Sequence, residues 1–274
     1  MTSSPSLSAI SDAAVAFDRC ADSYDELFTH SVVGRTQRNQ VWARLVKSFN
    51  PGSRILELNC GTGEDACYLA DHGSTVLACD VSPRMLSVAR RRADARNLST
   101  RVEFCQLANE DLGQLYARGP FDGAFSNFSG LNCVADLRRV AVDLARLLTP
   151  GARLLLCLWS RACLAEVLWY LLHGQPSKAF RRLPGKSTAT LGGARIPVFY
   201  PSVNSIRKSF SPWFSFLSCR AIGLFVPPSY TEDWTQSHRR LLRACEHLDR
   251  LCSSWPVFRG VGDHVLLELV RCNP

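Results

Sequence analysis

The sequence predicts an α/β fold: a doubly wound, mostly parallel sheet of seven strands, with an N-terminal helical cap and an insertion after strand 5. Three observations carry this. Between residues 54 and 159, short apolar segments alternate with segments of helical period, the pattern of a parallel sheet covered by helices on both faces. The first apolar segment runs straight into a glycine-rich turn, Asn59-Cys60-Gly61-Thr62-Gly63. The second ends in an acid, Asp80. At 274 residues the chain suits one large domain. Residues 1–50 form its cap, 51–274 its body, and 161–200 a lid or substrate-binding insertion.

The elements follow in order. Residues 54–59 (RILELN) form the first strand, and the helix after the turn runs to Asp71, with Gly73 as C-cap. Residues 75–80 (TVLACD) are the second strand, and Ser82 caps a helix with Pro83 at its first position, reaching about Arg96. Strands follow at 101–106 and 121–127, then a helix over 134–148 that stops at Thr149-Pro150-Gly151, then a strand at 153–159. A helix near 161–173 leads into 174–200, whose seven glycines and prolines mark an irregular insertion. Ser202 caps a short helix to Phe210, 214–220 is a strand, 231–253 a helix, and 264–271 the closing strand.

Composition narrows the function. With 46% hydrophobic and 20% charged residues, the chain reads as soluble and globular, which excludes wholesale disorder. Its longest apolar stretch, Leu154 to Leu172, is broken by Arg161 and Glu166, so no membrane span is expected. The first twenty residues lack a basic n-region and a long apolar run, so no secretory signal is expected. The twelve cysteines show neither CxxC pairs nor zinc spacing; they read as reduced core thiols of a cytoplasmic protein. Charge is uneven: 153–208 holds nine basic residues and one acid, Glu166. That segment suits an anionic acceptor, a membrane surface or nucleic acid. Nucleic acid ranks last, because no RNA-binding signature accompanies it. The Arg90-Arg91-Arg92 run reads as a solvated helix face.

The turn is the sharpest feature. A strand entering Gly-x-Gly and then a helix lets ligand atoms approach bare backbone, and Asp80, 17 residues after Gly63, stands at the neighbouring strand tip, where it can take ribose hydroxyls. GTGEDA also fits a dinucleotide fingerprint. Glu57 and Asp65 argue against that, since acids repel a pyrophosphate and favour a cationic nucleoside without phosphates.

ILELNCGTGEDACYLADHGSTVLACDVSPRML resembles the first two motifs of class I S-adenosylmethionine-dependent methyltransferases. FDGAFSNF resembles the fourth motif, LARLLTPGARLLLCLW the approach to strand five, and AFDRCADSYDELF the opening of small-molecule members, including relatives of the quinone-pathway methyltransferases. The likeness covers about residues 16–160 and implies a Rossmann-like fold with S-adenosyl-L-methionine as cofactor. It further implies that Glu57, Asn59, Gly61 and Gly63 hold the methionine part and Asp80 the ribose. Val81 and Met85 would flank adenine, with Ala108 and Glu110 at its edge. Asn127 and Phe128 would stand where acceptor meets methyl, and Tyr24 would close over the cofactor. Two departures stand out: Asn59 replaces the family's first glycine, and Leu107 occupies the usual place of an acid, with Asn109 or Glu110 as substitutes.

The implied function is methyl transfer to a small molecule, oxygen being the first choice of acceptor atom, in a monomer or homodimer, in a pocket at the C-terminal ends of the strands. The catalytic residue is unassigned, with His30 and His173 as general-base candidates; His264 reads as structural. No acid cluster suggests a metal. Ser126-Asn127-Phe128-Ser129 replaces the NPPY signature of adenine or amide nitrogen targets. The alternatives are a non-catalytic relative, an RNA or protein methyltransferase using the basic segment, and a nicotinamide-dependent oxidoreductase.

Overall fold

The computed structural model describes residues 7–228 and 232–273. Its strands are β1 (Arg54–Leu58), β2 (Thr75–Asp80), β3 (Val102–Gln106), β4 (Phe121–Ser126), β5 (Leu148–Trp159), β6 (Lys186–Leu191), β7 (Ala194–Phe199), β8 (Phe214–Ile222) and β9 (His264–Arg271). Seven of them form one sheet in the order β3-β2-β1-β4-β5-β9-β8, and β6 and β7 form a separate hairpin. β1 to β5 run parallel. β9 enters antiparallel between β5 and β8, pairing His264 with both Trp159 and Ile222. The start of β9 therefore lies on the same edge of the sheet as the C-terminal tips of β1, β2 and β4. The strand order reverses between β1 and β4, which opens a crevice at those tips.

The helices are α1 (Leu7–Cys20), α2 (Val32–Ser48), α3 (Glu64–Asp71), α4 (Pro83–Ala95), α5 (Leu137–Leu147), α6 (Leu164–Leu172), α7 (Pro176–Ala179), α8 (Val203–Phe210), α9 (Glu232–Ser237) and α10 (Arg239–Cys252). Alternation along the strands feeds two cores, which is why the strands read as continuous apolar runs. Leu56, Leu58, Leu77 and Leu156 face α5 and α8. Ile55, Val76, Phe125 and Leu155 face α2, α3 and α4 through Trp42, Leu45, Leu69 and Leu86. Glu57, in step with Ile55, is thereby turned toward the second of these layers.

Three expectations need correction. The insertion is not irregular: Gly192-Gly193 is a two-residue turn joining β6 to β7, a hairpin connection masked in the sequence by Pro197. The helix expected over 231–253 is two, broken at His238, and residue 231 lies outside the described residues. The arginine run is not simply a solvated face either. Arg92 turns inward to pair with Asp25 and with Glu64, and Arg96 reaches Glu64 at 2.9 Å.

All twelve cysteines are free, and seven are buried. Among the described residues no helix is long and apolar enough to cross a membrane.

Candidate active site

A cavity of about 390 Å³ opens at the tips of β1, β2 and β4. Its polar end begins at the turn after β1. Gly61 and Gly63 hold positive φ, and so does Asn59, at 57°. Asparagine is among the few side chains that tolerate this conformation. Its side chain rests where a Cβ on Gly130 would stand, 2.2 Å from the Asn59 Cβ, and its Oδ1 accepts from Ser126 Oγ at 3.2 Å. The asparagine at the family's glycine position is thus matched by a glycine at 130. A Cβ on Gly61 would meet only open space, so bare backbone faces the cavity there.

Asp80 lines the same end, its Oδ2 accepting from Gly61 N at 2.8 Å and its Oδ1 from Ser82 N at 2.9 Å. Burial raises its pKa, and these backbone donors oppose the rise. An ionised carboxylate offers about four acceptor sites, so two backbone bonds leave capacity for a ligand's hydroxyls. Glu57 is fully buried just beneath, and its Oε2 has no hydrogen-bond partner. Burial, then the neighbouring Asp65, pushes its pKa well above the glutamate range. A buried, unpartnered carboxyl is costly, and a cationic group brought to this spot would relieve it.

Asp65 has a different role from the one its sequence position suggests. It does not wait for a ligand, because the chain saturates it: Arg38 pairs with it at 2.6 Å, Trp42 Nε1 donates at 2.6 Å, and Asn127 Nδ2 donates at 3.0 Å. Through Asp65 the helix α2, the start of α3 and the tip of β4 are tied together. The Arg38 guanidinium also lies over Phe128, 4.6 Å from the ring centre.

The tip of β4 is strained. Phe128 and Ser129 both take positive φ, 44° and 71°, a conformation that costs roughly 1–2 kcal/mol per non-glycine residue. The turn is held by Asn127 Oδ1, which accepts from Phe128 N at 2.9 Å, and by Asn132, whose Nδ2 donates to Phe199 O at 2.6 Å. Edge-on to Phe128, at 5.3 Å between ring centres, stands His264. Its Nδ1 lies 3.3 Å from Asp263 Oδ2, and the ring lines the cavity. Asp263 is itself paired with Arg182 at 2.8 Å, and these two partners hold its carboxyl well below the usual range despite burial.

The opposite end is apolar. Ala13 and Phe17 of α1 and Leu191, Ile196 and Val198 of the hairpin wall it. Helix and hairpin also pack on each other: Ala16 joins Ile196, Val198 and Tyr200 in a small core of their own. The contact is close enough that a Cβ on Gly192, at φ +54°, would sit 2.6 Å from Ala16 O.

Of the residues named from the sequence, Tyr24, Asn59, Gly61, Asp80, Val81, Met85, Ala108, Glu110, Asn127 and Phe128 line this one cavity. Glu57 and Gly63 do not. Glu57 lies below the floor, and Gly63 is required by packing, since a Cβ there would sit 2.8 Å from Ala89 Cβ on α4. Tyr24 keeps its proton, its phenol pushed up to about 12 chiefly by burial. Neither candidate base reaches the cavity. His30 is exposed beyond the turn at 25–29, and His173 is exposed at the end of α6, stacked on Trp169, its Nδ1 2.7 Å from Trp169 O. Sequence reasoning missed His264, Arg38 and Gln37, which do line it. The signal for His264 was its place at the start of a strand that had to return antiparallel to β5.

The family model for a methyltransferase domain matches residues 55–151, the stretch that builds the turn, Asp80 and the tip of β4. Over this stretch the chain resembles a class I S-adenosylmethionine-dependent methyltransferase domain. Two relatives are demethylmenaquinone methyltransferases. That of Clavibacter sepedonicus is 35% identical over 144 residues, 53% of this chain and 56% of that protein. That of Paenarthrobacter aurescens is 30% identical over 177 residues, 61% of this chain and 64% of that protein. The chain thus spans little more than half the length of the first of these curated relatives.

Two solved structures share the methyltransferase fold. The DhpI–SAH complex superposes with a TM-score of 0.61 at 15% identity, covering 98% of this chain and 100% of that one. The N-methyltransferase NodS of Bradyrhizobium japonicum, in complex with S-adenosyl-L-homocysteine, gives 0.53 at 14% identity, covering 89% and 90%.

Proposed function

We propose that the chain transfers a methyl group from S-adenosylmethionine to an oxygen of a small-molecule acceptor, with the cofactor at the polar end of the cavity and the acceptor at the apolar end. The observation that carries this reading is the convergence on one crevice of bare backbone at Gly61 and spare carboxylate capacity at Asp80, with the unpartnered Glu57 Oε2 buried behind the lining. The residues fit the cofactor: Asp80 would take the ribose hydroxyls, Val81 and Met85 the adenine, and the turn the amino-acid portion, whose ammonium suits Glu57. When bound, the cofactor supplies an electrophilic methyl on a positively charged sulfur. The chain supplies position and dryness: Tyr24, α1 and the hairpin cover the crevice, and alignment with exclusion of water accounts for much of such a rate.

His264 can hold the acceptor's proton. Its Nδ1 stands 3.3 Å from Asp263, a carboxylate fixed by Arg182, without hydrogen-bond geometry; a small rotation of the ring would let Nδ1 donate there and leave Nε2 to accept, the arrangement that orients an imidazole base. The apolar wall suits an uncharged, hydrophobic acceptor better than an anionic one, and the demethylmenaquinone activity of the two relatives is in keeping with that.

Titration of S-adenosylhomocysteine into wild type and Asp80→Ala tests the cofactor site. The expected result is binding that the substitution weakens about tenfold, the equivalent of ~1.4 kcal/mol. Absence of binding to wild type would sink the reading. In turnover with an acceptor found by screening, His264→Gln should lower kcat about 100-fold, the scale of a lost general base, and leave S-adenosylhomocysteine affinity unchanged.

A further inference from the structure

Beyond the walls of its hairpin and the Arg182 that fixes Asp263, the basic insertion plays no part in the site just described. Its inner side is pinned by Glu166 of α6, which accepts from Arg181 at 2.9 Å and from Arg182 at 2.5 Å, Arg182 continuing to Asp263. Its outer side is apolar. Leu168, Leu171 and Leu172 fall at i, i+3 and i+4 on one face of α6 and are 53%, 45% and 85% exposed. Phe180 and Leu183, just beyond α7, are also exposed.

The cations of the same segment, Arg161, Lys178, Arg181, Lys186 and Arg195, are exposed. Between residues 153 and 208 the single acid is Glu166, which is buried and already paired. The exposed charge of the segment is therefore of one sign.

We propose that this face docks the protein on an anionic lipid surface, with Leu168, Leu171, Leu172 and Phe180 entering the boundary between headgroups and acyl chains and Lys178 and Lys186 meeting lipid phosphates. The pairing of features selects the occupant. An RNA would satisfy the cations and leave the leucines in water, while an apolar protein groove would do the reverse. An anionic bilayer takes both at once, and a cluster of large exposed side chains of this kind marks an interaction surface. The chain runs from this face through residues 180–185 into β6, whose Ala189 and Leu191 line the cavity. The proposal does not depend on the methyl-transfer reading.

Flotation of the full chain with vesicles tests it, comparing phosphatidylcholine alone with equal parts phosphatidylcholine and phosphatidylglycerol. The expected result is binding to the anionic vesicles at least about tenfold above the neutral ones, weakened by salt. Both L168S/L172S and K178E/K186E should reduce it about tenfold or more. Circular dichroism certifies the fold of each variant, so the result is read whether or not a cofactor binds. Failure to bind either vesicle, or binding that neither variant weakens, overturns the proposal. So does a concentration-dependent dimer abolished by L168S/L172S, or RNA binding abolished by K178E/K186E, when vesicles are not bound.

Discussion

At its polar end the cavity is walled by the tips of β1, β2 and β4, whose places are dictated by a sheet with core on both faces; at its apolar end it is walled by α1 and the β6–β7 hairpin, which rest mainly on each other. The first wall is charged and cross-tied: Asp65 alone joins α2, α3 and β4. The second is held by apolar contacts around Ala16 and Ile196, by one close approach at Gly192, and by fewer polar ties, among them Asn132 Nδ2 donating to Phe199 O and Arg84 N to Asp18 Oδ1. Cofactor-binding geometry is thus built into the part that cannot shift without unfolding. On the proposed reading, the acceptor end is the one walled by elements outside the main sheet.

The largest effect should follow from Asp65→Ala. It strands the Arg38 guanidinium, buried and deprived of its partner, and unpairs Trp42 and Asn127. A loss of ~3–5 kcal/mol is expected, read as the denaturant midpoint. A loss below ~1 kcal/mol would mean that the polar end is not the rigid one.

Glu57→Gln should act in the opposite direction. A carboxyl whose folded pKa lies above its ordinary value of 4.5 contributes stability that is present in acid and is lost as pH rises through the folded value. At neutral pH the unliganded variant should therefore be more stable than wild type by about 1 kcal/mol, the scale of one unsatisfied buried group. The difference should shrink as pH falls toward 4.5. S-adenosylhomocysteine affinity should drop in the same variant, the exchange of stability for function expected of a binding residue. Equal thermal melts at neutral pH would show that the carboxyl already has a partner.

The most local effect belongs to the hairpin. Gly192→Ala forces a Cβ against Ala16 O at positive φ, a cost of roughly 1–2 kcal/mol. Because the hairpin stands apart from the main sheet, hydrogen exchange should speed up over residues 186–199 and stay unchanged in β1, β2 and β4. Faster exchange in those strands would erase the contrast between the two walls.

Legibility in the sequence divides along the same line. RILEL, TVLACD and FDGAFS could be read as parallel strands because each is apolar on both faces and bounded by glycine, Ser-Pro or Asn signals; once they are placed, topology alone brings Asp80 and Asn127 to one edge. The hairpin was hidden by Pro197 and by a density of glycine that resembles a loop. His30 and His173 lie in segments that border the site in the chain, but the fold leaves both exposed and outside the cavity lining. His264 needed knowledge that β9 runs antiparallel, which depends on strand order rather than on local pattern. Asp65 looked like ligand chemistry because its three partners, at 38, 42 and 127, come from elsewhere in the chain.

The position of β9 has a consequence for how the molecule comes into being. The seventh strand of the sheet to be synthesised is not at an edge: it is inserted between β5 and β8, and β8 reaches the sheet through β9 alone. On the ribosome, β1 to β5 can associate as they emerge, but β8 has nowhere to dock until residue 271 has been made, and His264 is among the last residues to enter the cavity wall. Nascent chains halted before that point would carry a nearly finished cofactor crevice and an open sheet edge at β5, a species for chaperones to hold. Completion of the His264 side of the cavity and closure of the sheet are a single event.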